Sequence, residues 1–96
     1  MTRDEALNII KEYKLETKYK KNLNTIGIFG SIAKNEFTDT SDIDIFVELK
    51  NPKMFDLIGI KQDLENLFHK HVDIIMLRKK MNQFLRKRIE QEGIYV

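Results

Sequence analysis

Hydrophobic positions along the chain change period several times, and each change marks an element. Ala6, Ile9, Ile10 and Tyr13 fall at the spacing of a helix face. Ahead of them Thr2-Arg3-Asp4-Glu5 reads as a capping box, in which the Thr2 hydroxyl accepts from the amide three residues on while Glu5 reaches back. The pattern predicts a first helix from that box, left through the Lys-rich, apolar-poor stretch 18–24. Thr25 to Phe29 is short, β-branched and bounded by Gly30, which predicts a buried strand, with a brief helix over Ser31 to Glu36 after it. Thr38-Asp39-Thr40-Ser41 is turn chemistry. From Asp42 to Leu49 the alternation is strict, with Ile43, Ile45, Val47 and Leu49 on one face and Asp42, Asp44, Phe46 and Glu48 on the other, so a second strand is expected.

Asn51-Pro52 then offers an N-cap and a proline at the first helical position, and Leu57, Ile60, Lys61, Leu64, Leu67 and Phe68 repeat at three and four in a long helix, with Gly59 a mild flaw. His71 to Leu77 is β-branched and apolar apart from Asp73, which predicts a third strand. Asn82 caps a last helix carrying Phe84, Leu85 and Ile89, Gly93 stops it, and Ile94-Tyr95-Val96 is left as a short extended tail. No repeat, low-complexity segment or linker interrupts the order helix, strand, helix, strand, helix, strand, helix. The expectation is one α/β domain over residues 1–96, a small mixed sheet of three to four strands flanked by helices.

Composition narrows the function classes without naming one. At 96 residues the chain can bury only a modest core, and 17 Lys+Arg against 15 Asp+Glu leave a net charge of +2, too small to argue for nucleic acid. The absence of cysteine excludes disulfides, Fe–S clusters and thiolate zinc sites and fits a reducing compartment. The N-terminus opens with charge instead of an apolar signal segment, and no apolar run approaches the roughly 18 residues of a membrane span. A soluble cytoplasmic protein is expected.

Four features carry candidate chemistry. Gly30-Ser31, following a strand and opening a helix, offers free amides and a hydroxyl to an anion; the plain alternative is a helix cap after a tight turn. Asp42 and Asp44, two apart on a strand, present carboxylates on one face about 7 Å apart at Cα, a spacing suited to sharing Mg²⁺. Asp73 interrupts an otherwise buried run, so it needs a cation, a hydrogen-bond network or an exposed edge to avoid a cost of several kcal/mol. Three strand-borne carboxylates beside a phosphate-binding turn can hold two metals about 3.5–4 Å apart, the arrangement of in-line nucleotidyl transfer.

Gly30-Ser31, ten residues, then Asp42-Ile43-Asp44, with Ser41 just before and Asp73 in a later strand, resembles the nucleotidyltransferase superfamily of DNA polymerase beta. The small size and the runs Gly-Ser-Ile-Ala-Lys-Asn-Glu and Thr-Ser-Asp-Ile-Asp-Ile resemble its MNT branch, minimal nucleotidyltransferases that pair with HEPN proteins as antitoxin and toxin. The likeness runs to a Glu92-Gly93-Ile94-Tyr95 ending. It implies the polymerase-beta-like fold and transfer of AMP from ATP to a tyrosine of a HEPN-type toxin, which silences that toxin's RNase. Gly30 and Ser31 would hold the β- and γ-phosphates of ATP, Asp42 and Asp44 would bind both Mg²⁺ ions, and Asp73 would complete the metal site on the nucleophile side. Because no helical substrate-binding domain fits in 96 residues, the acceptor must be shaped by another chain or a second copy. One departure is Lys34-Asn35 where the family commonly carries Arg-Gly: Asn tolerates a left-handed backbone, and Lys34, read as a phosphate contact, keeps the charge but not a bidentate fork.

Two rival functions stand beside this one: an antitoxin that neutralises its partner by binding alone, and transfer to an RNA or small-molecule hydroxyl. The remaining features take ordinary readings. His69-x-His71 has no obvious third nitrogen or sulfur ligand and is read as cap or surface. The basic runs Arg78-Lys79-Lys80 and Arg86-Lys87-Arg88 are read as solvated, Tyr13, Tyr19 and Tyr95 as packing, and Met54, Met76 and Met81 as core filler.

Overall fold

The computed structural model describes residues 1–96, in which four helices alternate with four strands: α1 (Arg3–Glu16), β1 (Leu23–Phe29), α2 (Gly30–Ala33), β2 (Ile43–Leu49), α3 (Met54–Phe68), β3 (Val72–Met76), α4 (Gln83–Glu92) and β4 (Ile94–Tyr95). The capping box forms in full, the Glu5 amide donating to Thr2 Oγ1 at 3.2 Å and the Thr2 amide to Glu5 Oε1 at 3.1 Å. Asn82 Oδ1 likewise accepts from the amides of Phe84 and Leu85, fixing the start of α4.

Two helix boundaries differ from expectation. Helix α2 ends at Ala33, before Glu36, because Asn35 turns left-handed (φ 59°), the conformation its side chain was expected to tolerate. Helix α3 begins at Met54 with Lys53 as its N-cap, so Asn51-Pro52 is neither cap nor first turn. Asn51 is committed elsewhere: its amide donates to Asn22 Oδ1 at 2.6 Å, and its carbonyl accepts from Asn22 Nδ2 and the Lys53 amide. Gly59 has a reason beyond helix propensity, since the Tyr19 ring lies where a Cβ would stand.

The four strands form one mixed sheet in the order β3-β2-β1-β4, with β1 antiparallel to β2 and β4, and β2 parallel to β3. The short tail at Ile94 is therefore a true edge strand. Strand β1 starts two residues earlier than expected, with an irregular register between Leu23 and Thr25 against β2. The parallel β2–β3 pair requires a crossover, which α3 supplies.

The alternation of β2 assigns the two faces. Ile43, Ile45 and Val47 are wholly buried with Ile26, Ile28 and Val72 against Ala6 and Ile10 of α1 and Ile60 and Leu64 of α3. Each large aliphatic side chain buried there contributes roughly 1.5–3 kcal/mol. On the opposite face Phe46 packs with Phe29 and Ile89 of α4, in the space that Gly27 and Gly93 leave for its ring. Met76 and Met81 are partly buried, but Met54 and Leu67 are exposed, so the core-filler reading of Met54 does not hold: α3 begins there and turns that side chain outward. No helix is long and apolar enough to cross a membrane.

Candidate active site

The sheet topology gathers the polar residues at one end of the strands. Because β1 runs antiparallel to β2, its end lies beside the start of β2, with Phe29 opposite Asp44. Because β3 runs parallel to β2, its start lies there too, with Asp44 opposite Asp73 and Ile43 opposite Val72. Gly30, Asp42, Asp44 and Asp73, predicted from positions spread over more than forty residues of sequence, thus gather at one end of the strands, with Ser31 on α2 and Lys34 as its C-cap.

Gly30 adopts a left-handed backbone (φ 70°), and a Cβ there would strike the Asp44 carboxylate. The Gly30 turn and the Asp44 carboxylate are therefore packed against each other, an arrangement that suits glycine. No side chain caps α2, so the plain reading of Gly30-Ser31 as a helix cap does not apply. Asp44 is half-buried, and its pKa is raised first by burial, then by the charges of Asp73 and Asp42, with Arg88 opposing. Those repulsions, which Arg88 only partly offsets, mark the three carboxylates as one electrostatic group.

Asp42 and Asp73 are more than half exposed, which resolves the burial problem posed by the sequence: β3 is an edge strand and Asp73 opens onto the site instead of the core. Between them stands His71, its Nδ1 3.4 Å from Asp42 Oδ2 and 4.0 Å from Asp73 Oδ1. The ligand atoms of Asp42, His71 and Asp73 all lie within 4.8 Å of one another, comparable to the roughly 4–5 Å between ligands on opposite sides of a divalent ion. The donor set fits a divalent cation.

Lys34 reaches Glu92 of α4 at 3.2 Å, and Glu92 also accepts from Arg88 Nε at 3.2 Å. The hydrogen bond from Lys34, then that from Arg88, holds the Glu92 carboxyl below its ordinary pKa. The end of α2 is thereby tied to the end of α4 alongside Asp44.

Sequence reasoning did not bring two residues to this site. His71 is exposed, as a surface residue should be, but it was set aside for want of a third nitrogen or sulfur ligand, and its neighbours here are carboxylates. Arg88 is solvent-exposed as read, yet its charge acts on Asp44 and it pairs with Glu92. His69, in contrast, is the left-handed C-cap of α3 (φ 55°), as its position between helix and strand suggested.

Comparison with known proteins identifies the family. Residues 8–96 match the nucleotidyltransferase domain family. The chain is 38% identical over 96 residues to "Putative protein adenylyltransferase MJ0126" of Methanocaldococcus jannaschii, covering 99% of this chain and 98% of the relative. It is 29% identical to protein adenylyltransferase MntA of Thermococcus cleftensis, covering 100% of this chain and 97% of that one. The fold also matches a chain in a solved complex of tri-AMPylated Shewanella oneidensis HEPN toxin with MNT antitoxin, with a TM-score of 0.65 and 24% identity over 93% of this chain and 68% of that one. With the carboxylates of β2 and β3 gathered beside the Gly30 turn and the family matched over nearly its whole length, the chain belongs to the nucleotidyltransferase domain family and stands among relatives named as protein adenylyltransferases.

Proposed function

We propose that this protein transfers AMP from ATP to a hydroxyl, a tyrosine, of a HEPN-type partner toxin and so acts as its antitoxin in the cytoplasm. The observation that carries the reading is the convergence of Asp42, Asp44 and Asp73 beside the Gly30-Ser31 turn, with Asp44 raised in pKa by burial and by the other two. The relatives named as protein adenylyltransferases and the AMPylated HEPN toxin of the similar complex support the choice of donor and acceptor.

Asp42, Asp44 and Asp73 would hold divalent magnesium, as two ions. Bound there, magnesium supplies charge neutralisation for the triphosphate and acidifies an acceptor hydroxyl. The chain's own residues do the rest. Amides at the start of α2 have no intrahelical acceptors and, with the Ser31 hydroxyl, receive the β- and γ-phosphate oxygens. Lys34, anchored on Glu92 and still partly exposed, adds positive charge beside them. Asp73, exposed on the edge strand, would orient the acceptor hydroxyl and take its proton. Diphosphate leaves as the acceptor oxygen bonds to the α-phosphorus. The acceptor comes from outside, because the site lies open at the strand ends.

The test is a transfer assay with α-labelled ATP, Mg²⁺ and the HEPN-type partner, with an Asp42→Asn/Asp44→Asn control. Label on the partner that disappears in the control is the expected result. A tight complex that never acquires label, neutralised equally by the control, would instead make this an antitoxin that works by binding alone.

A further inference from the structure

We propose that His71 is a metal-facing side chain, so that Asp42, His71 and Asp73 form a mixed nitrogen and oxygen site that favours first-row transition-metal ions over Mg²⁺. The inference rests on the reading of the carboxylates as a cation site and goes beyond it in naming the ion class. Position comes from the backbone: the His71 carbonyl accepts from the Ile43 amide at 3.1 Å, which pins the residue beside the start of β2, next to Asp42. His71 immediately precedes β3, two residues before Asp73, and its ring lies on the same side as the Asp73 carboxylate. The ring's Nδ1 is 3.4 Å from Asp42 Oδ2 and 4.0 Å from Asp73 Oδ1, so it faces the space between the two carboxylates.

Ligand chemistry supplies the direction of the preference. An all-oxygen set suits Mg²⁺, whereas a neutral imidazole nitrogen adds affinity for Co²⁺, Ni²⁺ or Zn²⁺ that hard, reluctantly dehydrated Mg²⁺ does not share. One structural rival exists: an imidazolium that pairs with Asp42 and occupies the cation's place. The two differ in sign, because an ion-pairing imidazolium competes with every cation while a ligand helps the soft ones selectively.

The experiment measures Co²⁺ and Mg²⁺ binding by calorimetry on the full chain, comparing the unaltered protein with His71→Asn and with Asp42→Asn/Asp73→Asn, and records the visible spectrum of the Co²⁺ form. Far-UV circular dichroism checks folding, which an exposed residue such as His71 does not govern. The expected result is a loss of Co²⁺ affinity of about tenfold or more in His71→Asn, a changed Co²⁺ spectrum, and Mg²⁺ affinity held within about threefold. Equal losses for both ions, tighter binding of both, or an unchanged spectrum overturns the role of His71. If the double carboxylate variant binds both ions as well as the unaltered protein, the cation site itself fails and the inference falls with it.

Discussion

The two faces of the sheet are built from the same strands and do different work. On the α1 and α3 side every inward residue of β2 is aliphatic and fully or nearly fully buried, and the fold's stability is concentrated there. On the α4 side a small aromatic and aliphatic cluster of Phe29, Phe46 and Ile89 gives way, two residues back along β2, to Asp44, and Asp42 lies just before the strand begins. Because successive residues of a strand face opposite ways, one seven-residue strand supplies both the core and the chemistry. Stability and transfer are therefore expected to be separable by mutation.

The largest effect belongs to the polar face. Asp44→Asn and Asp73→Asn are each expected to lower AMP transfer by about a thousandfold or more, equivalent to roughly 4 kcal/mol of barrier, while the melting temperature of the metal-free protein holds or rises. Loss of folding together with activity would break the comparison. Ile45→Ala is the converse, with an expected cost of about 2–5 kcal/mol in urea denaturation, while protein that remains folded retains its transfer rate per molecule. Gly30→Ala lies where the faces meet: it forces a side chain into a left-handed position against Asp44, costs about 1–3 kcal/mol, and should depress transfer more than stability.

The smallest effect is a pH dependence with opposite signs for two carboxyls. Asp44 is raised, chiefly by burial and then by Asp73 and Asp42, so its contribution to metal-free stability is complete below the ordinary carboxylate pKa and is lost as pH rises through the elevated one. Glu92, lowered by Lys34 and Arg88, contributes above the ordinary value and loses that contribution as pH falls through its depressed one. Urea midpoints measured across the acid range should show a decline toward neutrality that Asp44→Asn removes; an unchanged profile in that variant would contradict the repulsion among the carboxylates.

Much of this was readable from the residues themselves, where a single local rule decided the outcome. The capping box, the alternation of β2, the cap at Asn82 and the left-handed Asn35 follow from local chemistry, and all appear as expected. What local rules did not contain was the competition for Asn51, whose backbone is engaged by Asn22 from twenty-nine residues away. The same holds for the reason behind Gly30: the sequence suggested free amides, and packing adds the carboxylate at its back. His71 and Arg88 are exposed, as read, and what the sequence did not contain was the tertiary proximity of one to Asp42 and Asp73 and of the other to Asp44.

The pairing of Asp44 with Asp73 across the parallel β2–β3 ladder also bears on how the chain assembles. Asp42 and Asp44 lie on one segment, which can meet the Gly30 turn early because β1 and β2 are close in sequence, whereas Asp73 arrives only after α3 has closed a long loop. A partly folded chain with only the first two strands joined thus has half a site and little capacity to bind nucleotide productively. If Asp73 is needed for transfer, as proposed, competence waits on docking of the outermost strand, and a ligand held between the two strands would return part of its binding free energy to that docking.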